Sequence, residues 1–239
     1  MDLKDEELIY NNNIITTALV PISSMSNNRS KIILKIEEII KRAIDIIGSI
    51  IGIILLIPIT IAIYLANLIS KDKGPIFYTQ ERYGKDGKIF KMYKYRSMVV
   101  GADEKLEKYL AENEDARKEY QKYKKLKDDP RVTKVGDFIR KTSIDEFPQF
   151  INVLKGEMTL VGPRPYLPKE REDINGFFNY ITSVKPGVTG FWQVNGRSDV
   201  TFVDRLEMDM NYYYNHTLKL DIKIIKQTVE KLVKREGAI

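Results

Sequence analysis

Two adjacent carboxylates, Asp145 and Glu146, are the side chains in this 239-residue chain whose type and spacing most suit chemistry. They belong to a Ser-x-x-Glu sequence that begins at Ser143 and is typical of a capping box, and Pro148 also belongs near a helix start. Either Ser143 or Asp145 would be the cap. In both cases the carboxylates lie at a helix N-terminus, where the dipole favours their ionised forms and attracts phosphate. A nucleophile and a phosphorylated substrate could share that site if a cation neutralised them; an ordinary capped helix is the alternative.

The composition limits which other groups could take part. The chain has no cysteine and one histidine, His216, which we interpret as structural. A disulfide framework, a thiol nucleophile, an iron–sulfur cluster, a cysteine zinc site and a two-histidine metal site are therefore excluded. Chemistry must fall mainly to carboxylates, lysine, arginine, tyrosine or hydroxyl groups. The formal net charge of +6 favours an anionic partner, such as nucleic acid, acidic lipid headgroups or a phosphorylated substrate.

Several basic residues lie in segments that restrict the backbone. The Pro-Arg-Pro sequence at 163–165 holds an arginine between two prolines, whose fixed φ pre-organises the loop. Lys94 and Arg96 project from one face of a predicted strand. The glycine-rich segment 185–197 would let a phosphorylated ligand approach the backbone, or it is a series of turns. Within it, Trp192 would stack on a base or fill the core. The candidate anion-binding residues are Lys94, Arg96, Arg140, Arg164, Lys185 and Arg197.

An apolar segment determines where these residues lie. Residues 46–70 are 25 consecutive uncharged residues, more than the roughly 20 that span a bilayer, so we expect membrane insertion. Polar residues over 31–45 recur at steps of three and four, which predicts an interfacial helix leading into the segment. Pro58 lies in its middle and basic residues flank both ends. A single span with a tolerated proline and a re-entrant hairpin bent at Pro58 both fit, although only the hairpin keeps both basic flanks on one side.

The remaining sequence predicts further helices and a small sheet. Two aromatic and β-branched runs within 76–96 flank an Asp-Gly turn and predict a β-hairpin. Residues 102–127 predict one long helix, which would rest on a membrane interface through its tyrosines and lysines or be solvated. A final helix is expected at about 219–235. Residues 1–30 are polar and predict a flexible tail.

Five segments together resemble the monotopic phosphoglycosyl transferases, the bacterial sugar transferases that act on polyprenyl phosphate. In chain order they are GPIFYTQERYGKDGKIFKMYKYRSM, DPRVT, RKTSIDEFPQFINVLKGEMTLVGPRP, KPGVTGFWQVNGRSD and LDIKIIKQT. The match runs from about Lys41 to the C-terminus, and the joint occurrence of the segments is highly specific. We expect a short form of the family, because this sequence does not contain the several N-terminal transmembrane helices of the long forms.

The resemblance implies transfer of a sugar 1-phosphate from a UDP-sugar to undecaprenyl phosphate with release of UMP. This is the first membrane step of exopolysaccharide, capsule or other glycoconjugate assembly. It implies that Asp145 forms a covalent phosphosugar intermediate and that Glu146 assists through Mg²⁺, the expected cofactor. It also strengthens the re-entrant interpretation of Pro58. The residues at matching substrate-binding positions are Arg140, Arg164, Arg197 and Asp221.

The expected fold class is α+β and helix-rich, with a re-entrant membrane hairpin, interfacial amphipathic helices and a small β-hairpin around a cytosolic catalytic domain. The expected domains are the tail 1–30, the membrane segment 31–72 broken at Pro58, and the transferase domain 73–239. The expected location is the cytoplasmic face of a bacterial cell membrane, with membrane lipids as partners and a homodimer allowed. A catalytically silent membrane scaffold is the competing function. Nucleic-acid binding is not expected, because no recognisable DNA- or RNA-binding motif is present.

Overall fold

The computed structural model describes residues 31–196 and 200–234. The predicted tail and Arg197 lie outside the described residues. By internal contacts the chain divides into two units, Met1–Glu37 and Glu38–Ile239. The described part of the first unit, residues 31–37, is helical. All the sheets and the remaining helices belong to the second unit.

Helix α1 (Lys31–Ile69) joins the predicted amphipathic segment to the apolar segment without interruption. It is the one helix among the described residues that is long and apolar enough to cross a membrane. At 1.5 Å per residue it is roughly 58 Å long, about twice the ~30 Å thickness of the hydrocarbon core. Helical structure continues through Pro58, so the backbone does not show the expected break. Leu56 before the proline and Ile63 after it pack in one cluster, which holds both halves of the helix against the same part of the unit.

The face of α1 that does not pack against the protein is apolar. Its side chains are half or more exposed at several successive turns, as at Ile54, Ile57 and Ile61. A contiguous exposed apolar surface of this kind marks contact with a membrane or a partner, and the length of the helix favours the membrane. The predicted association with a membrane is therefore supported.

The predicted hairpin is confirmed. Strand β1 (Phe77–Tyr83) pairs antiparallel with strand β2 (Ile89–Tyr95) over their whole length. A short 3-10 turn, Lys85–Gly87, joins them, and Asp86 lies in the left-handed region with a φ of 58°. Asp and Gly tolerate that conformation better than other residues, which is why the Asp-Gly sequence predicts a turn here.

The single long helix predicted over 102–127 is wrong. The segment forms two helices, α2 (Ala102–Glu112) and α3 (Glu114–Tyr123). Between them Asn113 adopts an extended conformation, and its side chain accepts a 3.0 Å hydrogen bond from the backbone N–H of Ala116. Asparagine caps helices better than it continues them, because its side chain competes for backbone hydrogen bonds.

The rest of the unit consists of further helices and a second small sheet, which confirms a helix-rich α+β fold. Strands β3 (Thr159–Val161) and β4 (Gly187–Thr189) form a second, parallel pair. The final helix occurs where it was expected, as α10. The helices, in chain order, are α4 (Lys134–Lys141), α5 (Gln149–Lys155), α6 (Arg171–Ile174), α7 (Phe178–Ile181), α8 (Phe191–Asn195), α9 (Phe202–Asn215) and α10 (Leu218–Lys234).

Close approach of β3 and β4 explains two residues of the glycine-rich segment. A Cβ atom on Gly187 would lie 2.1 Å from the backbone nitrogen of Gly162, and one on Gly190 would lie 2.3 Å from the Gly162 carbonyl oxygen. Neither position could carry a side chain without moving a backbone. At these two positions the structure favours a packing role over contact with a ligand.

Candidate active site

Asp145 and Glu146 lie in a single 3-10 turn, Ile144–Glu146, between α4 and α5. Ser143 precedes them in the left-handed region, with a φ of 56°, and its side chain makes no capping hydrogen bond. Helix α5 begins after Pro148, also without a side-chain cap. The predicted capping box is therefore wrong, because a hydroxyl reaches the N-terminal amides from an extended N-cap residue and not from a left-handed one.

Lys94 on β2 brings a cation to both carboxylates. Its Nζ donates a 2.8 Å hydrogen bond to Oε1 of Glu146 and lies 3.9 Å from Oδ2 of Asp145. Burial raises the pKa of Asp145 to about 6; Lys94 and Arg140 oppose this shift, whereas the charge of Glu146 adds to it. Burial also disfavours ionisation of Glu146, but the charge and hydrogen bond of Lys94 outweigh it and hold that pKa below its usual value. The two carboxylates therefore have different pKa values, as in catalytic carboxylate pairs whose two members have different roles.

Arginine side chains surround the dyad of Asp145 and Glu146, and some of their donor atoms are buried without a partner in the described part of the chain. Arg140 stabilises the ionised form of Asp145, while Arg164 and Arg82 do so for Glu146. Nη1 of Arg140 and Nε of both Arg164 and Arg82 are buried without a hydrogen-bond partner in the described part of the chain. Buried polar groups are normally paired, and guanidinium groups bind phosphate through charge-assisted hydrogen bonds. These donors therefore suit a phosphorylated ligand beside the carboxylates.

The backbone of residues 163–166 is held by partners from three separate elements. The partners come from β1, from β4 and from α9. The hydrogen bonds run from Gly187 N to Pro163 O (2.8 Å), Arg164 N to Asp209 Oδ2 (3.1 Å), Arg82 Nη1 to Pro165 O (2.9 Å) and Tyr83 N to Tyr166 O (2.9 Å). Because two prolines also fix φ on either side of Arg164, its side chain extends from a rigid segment. A pre-organised arginine loses less entropy when it binds an anion.

Asp209 on α9 is a buried carboxylate that the sequence did not single out. It is 0% exposed, and its Oδ2 accepts hydrogen bonds from the Tyr166 hydroxyl (2.8 Å) and the backbone N–H of Arg164 (3.1 Å). Burial raises its pKa to about 7, although the hydrogen bonds from Tyr166 and Arg164 oppose the shift. A signal was available: Arg205 and Asp209 occupy the i+3 and i+7 positions of an apolar helical stripe that begins at Phe202.

Two predicted substrate-binding residues have no described contact with the dyad. Arg96 donates hydrogen bonds to Asp72 and to the carbonyl groups of Pro75 and Met98, so it ties the end of β2 to the segment after α1. Lys185 is half-buried near Arg42, and burial and that neighbouring charge lower its pKa. Their roles in binding stay predictions. Arg197 lies outside the described residues.

Asp221, which was also predicted to bind substrate, takes part in holding α1 against the domain. Its carboxylate accepts hydrogen bonds from the Lys41 ammonium group and from the Tyr212 hydroxyl, the latter at 2.7 Å. Lys41 and Tyr212 also donate to the carbonyl oxygen of Val161, at 2.8 and 3.1 Å. The network therefore joins α1, α9 and α10 at the end of β3, two residues before Pro163.

A second contact between α1 and β3 lies one turn further along the helix. Asp45 is 4% exposed, and its carboxylate accepts hydrogen bonds from the Thr159 hydroxyl (2.9 Å) and from the backbone N–H of Leu160 (2.8 Å). Strand β3 runs directly into the Pro-Arg-Pro segment. The apolar helix and the loop that carries Arg164 are therefore linked through one short strand.

The dyad suits a metal ion that is bound in part by its substrate. Carboxylate oxygens are the hard ligands that Mg²⁺ prefers, and Mg²⁺ usually binds through one or two carboxylates together with substrate phosphates. Among the described residues, no cluster of three or more acidic or histidine side chains could hold a metal ion by protein ligands alone. The Glu146 side chain is 38% exposed, so it is accessible to such an ion. The residues present fit a substrate-dependent site with Glu146 as the protein ligand.

Comparison with known proteins places the chain in a family. The model of the family described as bacterial sugar transferase matches residues 36–235. An undecaprenyl-phosphate galactose phosphotransferase of Salmonella typhimurium is 45% identical over 92% of this chain and 45% of its own length. The UDP-glucose:undecaprenyl-phosphate glucose-1-phosphate transferase of Escherichia coli is 39% identical over 82% of this chain and 40% of its own. The exopolysaccharide production protein ExoY of Sinorhizobium fredii is 36% identical over 85% of this chain and 89% of its own length. The chain spans about half the length of the first two relatives and most of the third, and it belongs to the bacterial sugar transferase family.

Proposed function

We propose that the protein transfers a sugar 1-phosphate from a UDP-sugar to undecaprenyl phosphate and releases UMP. The observation that carries this proposal is the pair Asp145 and Glu146, held by Lys94 beside buried arginine donors that have no partner among the described residues. That arrangement suits a diphosphate substrate, and it occurs in a chain of the bacterial sugar transferase family. Two relatives are named for galactose and for glucose. The proposal therefore leaves the sugar open, and a role in exopolysaccharide or capsule assembly follows as part of it.

The proposed chemistry proceeds in two displacements at one phosphorus. A carboxylate oxygen of Asp145 attacks the β-phosphorus of the UDP-sugar, the bond from that phosphorus to the bridging oxygen breaks, and UMP leaves with the oxygen. A phosphate oxygen of undecaprenyl phosphate then attacks the same phosphorus and releases the carboxylate. One phosphoanhydride replaces another, so the covalent route divides the reaction into two similar steps with little net driving force required.

The cations around the dyad have separate parts in this scheme. Lys94 neutralises Glu146 and lies close enough to Asp145 to favour its carboxylate form. Arg140 and Arg164 offer buried donors to the charge on the transferred phosphoryl group. Mg²⁺, when bound at Glu146, would neutralise phosphate charge. Each contribution lowers the repulsion between an anionic nucleophile and an anionic substrate.

We propose further that α1 enters and leaves the membrane on the cytoplasmic side. Support comes from contacts at both ends of its apolar segment with the same unit: Asp45 binds β3, and Asp72, just beyond the helix, binds Arg96. In the middle, Thr60 and Tyr95 share a 2.6 Å hydrogen bond. A helix that carried its far end across a bilayer could not keep these contacts with a domain on one side. The helix would lie tilted or bent within one leaflet, with its apolar face toward lipid.

The absence of cysteine makes this topology testable. Glu38→Cys and Lys73→Cys place single thiols at exposed positions on either side of the apolar segment. We expect a membrane-impermeant maleimide to label both from the cytoplasmic side of oriented vesicles. Labelling of the two positions from opposite sides would refute the proposed topology.

The enzymatic proposal is tested with purified protein, undecaprenyl phosphate, Mg²⁺ and a panel of UDP-sugars, with UMP as the readout. We expect UMP from at least one sugar and a loss of roughly 10³-fold or more in Asp145→Asn, because the nucleophile is removed. Asp137→Asn, an exposed carboxylate on α4, is the matched control and should retain activity. Without acceptor, wild-type protein should gain the mass of a sugar phosphate. No UMP with any sugar, or undiminished turnover by Asp145→Asn, would favour the silent scaffold instead.

A further inference from the structure

We infer that Arg82, Arg164 and Arg205, together with Trp192, form a second phosphate subsite next to the dyad, and that it binds the nucleotide-side phosphate of the donor. The inference rests on the proposed function and deepens it. Arg82, Arg205 and Trp192 are not needed for the displacement chemistry described above. They would instead hold the phosphate that stays with the nucleotide and leaves.

Burial and unpartnered donors are the first evidence. Arg82 is 6% exposed and Arg205 is 4% exposed, yet Nε of each is buried without a hydrogen-bond partner in the described residues. Nε of Arg164 and Nε1 of Trp192 are also buried without a hydrogen-bond partner in this part of the chain. Buried polar groups normally have hydrogen-bond partners, so four buried donors without a partner in one neighbourhood are unusual. A ligand that accepts hydrogen bonds would satisfy them.

The charge of the cluster is the second line of evidence. Within the described residues none of the three guanidinium groups lies in an ion pair with a carboxylate. Burial, and next the charge of Arg164, lower the pKa of Arg82 to about 9 and that of Arg205 to about 10. The charges of Glu170, Glu146 and Asp209 oppose these shifts without cancelling them. Buried cations whose charge is only partly balanced are costly. An anion bound among them would remove that cost.

The geometry brings the three arginines to one place. The guanidinium carbon of Arg164 lies 5.8 Å from the centre of the Trp192 ring, and that of Arg205 lies 5.3 Å from it. Arg82 joins them through its 2.9 Å hydrogen bond to the carbonyl of Pro165. Arg164 and Arg82 also act electrostatically on Glu146. The cluster therefore borders the dyad, and Arg164 belongs to both phosphate positions.

A phosphate group is the shared chemistry of two possible ligands, the nucleotide and the polyprenyl phosphate. The surroundings favour the nucleotide. The described contacts of Arg82, Arg164 and Arg205 are with β1, α3, α8, α9 and the loops between elements, and none is with the membrane helix α1. The phosphate of a lipid, by contrast, has to stay near the membrane surface.

Binding of UMP, measured by calorimetry on the detergent-solubilised protein, tests the inference without requiring turnover. We expect Arg205→Gln to weaken UMP binding about 10- to 100-fold, as for loss of a hydrogen bond to a charged group. Arg205→Lys should restore part of it, since the charge remains without the fork of donors. Trp192→Phe, which removes the indole N–H donor and part of the aromatic surface but keeps a ring, should weaken binding severalfold. Arg117→Gln, an exposed arginine on α3, is the control and should bind UMP as wild type does.

Steady-state kinetics distinguish the two sources of phosphate. We expect Arg205→Gln to raise KM for the UDP-sugar and to leave KM for undecaprenyl phosphate unchanged. A rise confined to undecaprenyl phosphate would overturn the assignment to the nucleotide. Wild-type affinity for UMP in Arg205→Gln, Arg205→Lys and Trp192→Phe would overturn the subsite itself. A third outcome is possible, in which the wild-type protein turns over no UDP-sugar but binds UMP, and Arg205→Gln weakens that binding. This outcome would refute the proposed function and leave the subsite standing.

Discussion

The Tyr166 hydroxyl donates a 2.8 Å hydrogen bond to Oδ2 of Asp209, and both side chains are buried. The same oxygen accepts the backbone N–H of Arg164, so a single carboxylate connects the core to the arginine of the Pro-Arg-Pro segment. Tyr166 also packs edge-to-face on Phe202, with ring centres 5.9 Å apart. The position of Arg164 therefore depends on core packing as well as on its two prolines.

Tyr166→Phe tests this dependence by removing only the hydroxyl. Oδ2 of Asp209 then keeps one donor in place of two, and we expect a loss of about 1–3 kcal/mol in the free energy of unfolding. The KM for the UDP-sugar should rise as Arg164 becomes less restricted. Thermal unfolding and steady-state kinetics measure the two effects. Tyr180→Phe removes a half-exposed hydroxyl and is the control; equal effects from both substitutions would contradict the prediction.

The raised pKa of Asp209 predicts a specific dependence of stability on pH. The pKa is about 7 in the folded protein and roughly 3.9 in an unfolded chain. Between these values the folded state keeps a proton that the unfolded state has released, so this group makes stability fall as pH rises from about 4 to about 7. Below about pH 4 both states are protonated and the contribution disappears.

Asp209→Asn isolates that contribution, because asparagine keeps a side-chain oxygen acceptor and does not titrate. We expect the melting temperature of the variant, relative to wild type, to increase as pH is raised from 4 to 8. Melting curves at four or five pH values suffice to show it. A difference that stays constant over this range would show that Asp209 is not held protonated in the folded protein.

Lys94 is expected to affect activity far more than stability. Its partners Asp145 and Glu146 are both partly accessible, so the ion pairs contribute only about 1 kcal/mol to folding. In Lys94→Met the dyad loses the cation that favours its ionised forms, and we expect kcat to fall by roughly 10²-fold or more. Lys91→Met changes an exposed lysine on the same strand. Loss of activity in both variants, or in neither, would contradict this role for Lys94.

Local signals were sufficient for several elements. The Asp-Gly turn predicted the hairpin, and the polar spacing over 31–45 predicted a helix that leads into the apolar segment. The family segments drew attention to Asp145 and Glu146. Each of these features depends on residues that are neighbours in sequence. The prediction of one helix over 102–127 is wrong for a local reason as well, since Asn113 favours the N-cap position and interrupts the helix.

The rest of the site depends on contacts between distant parts of the chain. Lys94 meets Glu146 across 52 residues, and Arg82 reaches the carbonyl of Pro165 across 83. Nothing in the sequence near Arg82 indicates that its side chain is buried beside Arg164. The left-handed conformation of Ser143 was equally hidden, because it is imposed by the connection between α4 and α5. The resemblance was sufficient to predict Asp145 and Glu146, but only some of the basic residues around them could be predicted from the sequence.

The link between α1 and β3 provides the last prediction. Asp45 accepts hydrogen bonds from the Thr159 hydroxyl and the Leu160 amide, both in a largely buried setting. Asp45→Ala leaves these two donors without their acceptor, which should cost about 3 kcal/mol in the free energy of unfolding. Because β3 continues into the Pro-Arg-Pro segment, we also expect a higher KM for the UDP-sugar. Glu38→Ala, on the same helix but exposed, is the matched control. A variant as stable as wild type would show that this contact does not hold the helix to the domain, whereas lower stability with an unchanged KM would show that the helix does not position Arg164.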